Sequence, residues 1–197
     1  MTSRQKTTLF LAGEVVGCSG LAAGSANCQW KLVTDGKAWK RKKGLDEGTS
    51  HNDEPAEGGM CIFQHPIDAC YEAVGDISEH EWPRFEVEVR WRDVHGRSDL
   101  AGYGIVHMPS RPGVHELSAQ LWRPQGSFSD RFTAFFLGGN PRLKDNALRY
   151  GLTDENEGGA PRLMRAVGRQ RMTSQPSGVV HLTMNVTIRR EIESSDD

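Results

Sequence analysis

From Phe85 to Arg92 the chain alternates apolar and charged residues without a break. Phe85, Val87, Val89 and Trp91 fall on one side, and Glu86, Glu88, Arg90 and Arg92 on the other. A period of two in aromatic and β-branched types is the pattern of a half-buried strand, because successive side chains of a strand point to opposite faces. Asp93-Val94-His95-Gly96-Arg97 supplies a turn, and Leu100 to His107 reads as a second strand. Pro109, Pro112 and Gly113 punctuate the next turn before a third strand from His115 to Trp122. The stretch from Trp82-Pro83-Arg84 to Pro124 is therefore an antiparallel meander, and it holds no arrangement of residues that does chemistry.

Further strands are expected at Thr7 to Val16, interrupted by Gly13, at Asn27 to Thr34, and around Trp39 from Lys37 to Lys40. Met60 to Gln64 is another, ending at His65-Pro66, where a proline removes a ladder donor. Val179 to Arg190 alternates well, with Val180, Leu182, Met184, Val186 and Ile188 on one face, and is expected to close the sheet. One helix is expected over residues 127–137: Ser127 or Ser129 caps it, Phe128, Phe132, Phe135 and Phe136 give an apolar face, and Gly138-Gly139 stops it. The aromatic stripe reads as a plug for one end of a sandwich rather than a cofactor site. Short strands separated by glycine- and proline-rich turns, with one helix, give an all-β antiparallel sandwich as the fold class.

A length of 197 residues fits one domain and is enough to bury roughly 70% of the unfolded surface. The domain is expected at residues 7–190, with a flexible start at 1–6 and a disordered acidic tail at 191–197. Net charge is -2 and the pI is about 6.4, so there is no global pull toward nucleic acid. The apolar run Leu9 to Ala12 is too short for a signal peptide, and no segment approaches a bilayer span. Cys18, Cys28, Cys61 and Cys70 form no C-x-x-C pair and read as free thiols of a reducing compartment.

The residues that could carry chemistry read as framework. His65, His95, His107 and His115 sit near strand ends but lack metal-ligand spacing. There is no G-x-S-x-G. Tyr103, between Gly102 and Gly104, reads as a packed ring whose flanking glycines admit a close neighbour; no helix follows to complete a phosphate site. Asp68, Asp93 and Asp99 are isolated, and Asp53-Glu54 reads as a solvated loop, so the carboxylate set of a loop calcium site is missing. No catalytic residue, metal ligand or cofactor is assigned.

The sharpest charge feature is the basic run Lys37, Lys40, Arg41, Lys42 and Lys43, interleaved with Trp39. It is read as a solvated strand-to-loop crossing. Its functional alternative is a contact to an anionic membrane surface or a partner, at about 1 kcal/mol per basic residue near headgroups.

The meander also resembles a known family. Trp82-Pro83-Arg84, the turn around Gly96, Leu100-Ala101-Gly102-Tyr103-Gly104 with His107 and Pro109, and Pro112-Gly113-x-His115 look like the core signature of B9 domains. His65-Pro66-Ile67-Asp68 and the final Gly178 to Leu182 strand fit as well. Leu121-Trp122-Arg123-Pro124-x-Gly126-Ser127 and Phe136-Leu137-Gly138-Gly139-x-Pro141 resemble one of the three family members more than its two paralogues. The resemblance implies a C2-type sandwich that is not an enzyme. It implies a scaffold in the transition zone at the ciliary base, near the basal body, in the cytoplasm and cytoskeleton. There the protein joins two B9-domain relatives, tectonic and transmembrane proteins, in a Meckel-syndrome-type complex required for cilium assembly and for a diffusion barrier. The alternative it leaves open is a calcium-independent lipid-binding module at the same membrane. A small hydrolase or sugar-binding sandwich is the third reading, resting only on scattered histidines and aromatics.

Overall fold

The computed structural model describes residues 4–125 and 173–193, apart from residues 22–23, 35, 56–58, 76, 78–80 and 93–95. Nine strands follow one another: β1 (Arg4–Ser19), β2 (Ser25–Val33), β3 (Trp39–Gly44), β4 (Glu47–Thr49), β5 (Cys61–Ala73), β6 (Arg84–Arg92), β7 (Ser98–His107), β8 (Gly113–Gln125) and β9 (Thr173–Glu193). There is no α-helix among the described residues; the helix expected at 127–137 lies outside them.

All the strands join in one antiparallel sheet of order β3-β5-β1-β9-β8-β7-β6-β2-β4. The chain passes from β3 to β4 in two residues, yet those strands stand at opposite ends of this order. The sheet must therefore curl until β2 and β5, the strands next to its ends, come together. The two linking residues bridge them: Leu45 N donates to the Asp68 carbonyl of β5 (3.1 Å), and Leu32 N of β2 donates to the Asp46 carbonyl (2.6 Å). Farther along, Ala26 and Asp53 exchange backbone hydrogen bonds, and Ile62 N donates to Asp53 Oδ2 at 2.8 Å. The result is the expected all-β, C2-like sandwich, with a seam between β2 and β5.

Its core comes from alternate residues. Leu9, Leu11 and Val15 of β1, Cys28, Trp30 and Leu32 of β2, and Phe63, Ile67 and Tyr71 of β5 meet Phe85, Val87 and Val89 of β6 and Val180 to Val186 of β9. Trp30 stacks on Phe85 (centroids 5.5 Å apart) and tilts against His65 (5.9 Å), closing the core beneath the seam.

Three features depart from the sequence-based expectation. β6 is not half-buried: Glu86 and Glu88 on its polar side are 4% and 6% exposed. They tolerate this because Arg84 Nε and Arg90 Nε reach along the strand to their carboxylates, at 3.0 and 2.9 Å. Burial pushes the Glu86 carboxyl above its ordinary range, and Arg84 opposes that shift.

β5 does not stop at Pro66 but runs on to Ala73. Pro66 pairs with Glu14 of β1, while β3 covers β5 only from Ala69 onward, so the proline sits where the strand has one neighbour.

Finally, β9 closes no end of the sheet. It lies at the centre, joining β1 to β8. Its ladder with β1 continues past Thr7↔Arg190 to Arg4↔Glu193.

Candidate interaction surfaces

The motif residues of the meander form a brace. Trp82 Nε1 donates to the Pro109 carbonyl at 3.0 Å, Met108 N donates to the Pro83 carbonyl at 2.9 Å, and Pro83 is buried. The turn after β7 is held by His115 Nε2, 2.9 Å from the Arg111 carbonyl. Pro112 and His107 are exposed, and Gly96 and Gly113 take positive φ at their turns (79° and 134°). A Cβ on Gly104 would lie 3.0 Å from Val87 and 3.1 Å from Leu121; one on Gly102 would lie 2.5 Å from Ser177 Oγ. Both glycines thus leave room for core side chains. Tyr103 between them is fully buried and packs against Trp122, with ring centroids 5.7 Å apart.

The basic run divides in the structure. Trp39 is 2% exposed: its indole N–H donates to the Glu81 carbonyl (2.8 Å) and its ring meets Trp82 edge-on, 5.2 Å between centroids. It belongs to the core and does not share an exposed face with the cations. Lys37 and Lys40 to Lys43 are exposed. Arg41 turns toward the seam and pairs with Asp46 at 2.5 Å.

Lys40 stands opposite Glu72, and a bulge between Arg41 and Lys43 resets the register so that Lys43 stands opposite Cys70. Lys42 Nζ reaches the same Glu72 carboxylate at 3.0 Å, and Lys6 Nζ of β1 reaches it at 3.3 Å. Hydrogen bonds from the Lys42 and Lys6 ammonium groups hold the Glu72 carboxyl below its ordinary range. Lys6 was not visible as part of this surface, because cross-strand register is not written in the sequence. The available signal is the period of two that sets Lys6, Thr8 and Phe10 opposite Leu9 and Leu11.

The groups that carry chemistry elsewhere are placed as framework here. Cys18 and Cys61 face each other across β1 and β5, both free and buried. Burial raises the Cys18 thiol to about 12, with Cys61 as the second cause, and the Cys61 thiol to about 11, with the Asp53 carboxylate as the second cause. Such thiols are poor nucleophiles. Ser19 Oγ lies 2.8 Å from His181 Nε2, but among the described residues no carboxylate hydrogen-bonds that histidine. A cavity of about 210 Å³ opens between Leu21, Trp91, Arg123, Pro176 and Ser177, with one cation and no acid–base pair. Among the described residues no cluster of three His, Cys, Asp or Glu side chains could hold a metal ion.

The described residues form a curled antiparallel sandwich whose motif residues build the framework and whose basic groups lie exposed on an edge. Residues 9–187 match the family model described as "Ciliary basal body-associated, B9 protein". The chain is 35% identical to B9 domain-containing protein 2 of Xenopus laevis over 181 residues, 92% of this chain and 93% of that relative. It is 38% identical to B9 domain-containing protein 2 of Danio rerio over 146 residues, 74% and 81% of the two chains. Similarity extends to B9 domain-containing protein 1 of Xenopus laevis, 29% over 121 residues, 60% and 59% of the two chains. The chain belongs to the B9 domain family.

Proposed function

We propose that this protein is a non-catalytic scaffold subunit of the ciliary transition zone, assembling with two paralogous B9-domain proteins. Through them it joins tectonic and transmembrane components, and it serves cilium assembly and the diffusion barrier at the ciliary base. The observation that carries the reading is the match of residues 9–187 to a family described as ciliary basal body-associated. Similarity to both B9 domain-containing protein 2 and B9 domain-containing protein 1 supports a set of related B9 proteins as its partners. The sandwich supports it too, because its edges and faces supply area for docking folded domains.

A calcium-independent lipid-binding role draws on the exposed lysines of β3. It loses its aromatic anchor with Trp39 buried. Co-expression with the two B9 relatives of the same organism tests the scaffold reading. A complex that survives gel filtration is the expected result; three separately eluting proteins would sink the reading.

A further inference from the structure

We propose that the open edge of β3, with the lysines beside it, docks an extended acidic segment of a partner protein, which adds to the sheet as a further strand. β3 ends the strand order, and no strand among the described residues pairs with its other side. Every residue from Lys40 to Gly44 is exposed. Six residues at strand rise give an edge about 20 Å long, matching an ordinary strand. The opposite end of the sheet offers much less: β4 has three residues, and its Glu47 pairs with Lys31.

The charge on this edge is mainly positive. Strand alternation sets Lys40 on the outer face, the bulge between Arg41 and Lys43 brings Lys42 and Lys43 to it, and Lys6 joins them from β1. Glu72 and Asp68 lie beside them and Glu191 of β9 stands opposite Lys6, so four ammonium groups face three acids. The whole chain carries -2, so the local excess is opposite to the global charge. Lysines on an open edge repel a neutral aggregating strand only weakly, but a second copy of the same basic edge strongly. The same charge favours an acidic strand, whose backbone supplies main-chain hydrogen bonds and whose alternate carboxylates meet the lysines.

A bilayer fits less well. Trp39 is buried, Glu72 and Asp68 are interspersed among the lysines, and headgroups have no backbone to satisfy a free strand edge. The proposal rests on the scaffold reading only in taking the partner to be a protein.

The test uses the full chain and a fluorescent peptide of alternating Glu and Val, about seven residues long. Fluorescence anisotropy should show it binding, and the matching Lys and Val peptide not binding. Methylating alternate backbone nitrogens of the acidic peptide should weaken binding about tenfold or more, as should the triple change Lys40→Glu, Lys42→Glu and Lys43→Glu. The double change Lys42→Ala and Lys43→Ala, which leaves fewer unfavourable charges, should give a smaller loss of the same sign. Absence of peptide binding overturns the proposal, as does indifference to backbone methylation. So does binding to phosphatidylserine vesicles that the peptide cannot displace. If the B9 relatives co-elute with both wild type and triple variant while the peptide fails, the edge site falls and the scaffold stands. If the peptide binds and no B9 complex forms, the scaffold falls and the edge site stands.

Discussion

Trp39 and Lys40 are neighbours in the chain and face opposite environments, one in the core and one in solvent. A strand produces this separation at every step, so a tryptophan within a basic run says nothing about which face it shares with the lysines. Trp39→Ala removes the bond to Glu81 and the edge contact to Trp82, and should cost about 3–5 kcal/mol by denaturant unfolding. Lys43→Ala should stay within about 0.5 kcal/mol of wild type in the same measurement. Equal, small effects would mean the indole is not core. Gly13 makes the complementary point. In the sequence it reads as an interruption of a strand; in the structure it lies inside β1, where a Cβ would sit 2.1 Å from the Thr183 carbonyl oxygen of β9. Its absence of side chain is what lets the two strands approach. Gly13→Ala should therefore cost about 2 kcal/mol or more, seen as a melting temperature lowered by several degrees.

At the scale of the element, the seam between β2 and β5 carries its own pH dependence. Burial, and then His51, hold the His65 imidazole below its ordinary value of 6.5. The folded state favours the neutral ring, so this stability is present above pH 6.5 and is lost as pH falls toward the folded value. Melting temperature should drop between about pH 7.5 and about pH 5.5, and His65→Asn should shrink that drop. An unchanged drop in the variant would assign the loss to another group.

The meander β6–β7–β8 and the alternation of β9 were legible because period two is a local signal. The burial of Glu86 and Glu88 was not, since it depends on how Arg84 and Arg90 lie along the strand. The continuation of β5 through Pro66 was hidden for a related reason: a proline's cost depends on whether a second strand needs its missing donor. The surface at Glu72 draws on β1, β3 and β5, so only its β3 lysines stood out as a run.

For the whole molecule, family membership was legible where fine function was not. Motifs such as Trp82-Pro83 and Gly102-Tyr103-Gly104 are framework, and framework identifies relatives without marking where partners sit. If the molecule works through its surface, substitutions there should separate assembly from stability. The double change Lys42→Ala and Lys43→Ala should leave the melting temperature within about 3 °C of wild type while weakening the acidic-peptide complex. A large thermal loss would show that those lysines support the fold instead.

The central position of β9 has a consequence for how the protein is made. β3, β5 and β1 lie on one side of it and β8, β7, β6, β2 and β4 on the other. All those strands leave the ribosome earlier than β9 does. Until it emerges, β1 and β8 each present a long unsatisfied edge, and the pairing Leu11↔Val186 must close across almost the whole chain. Loop-closure entropy makes such contacts slow to form, and exposed edges in the interval invite aggregation. A nascent chain stalled before Thr173 would hold two half-sheets that no strand yet joins, and would depend on chaperones until translation resumed.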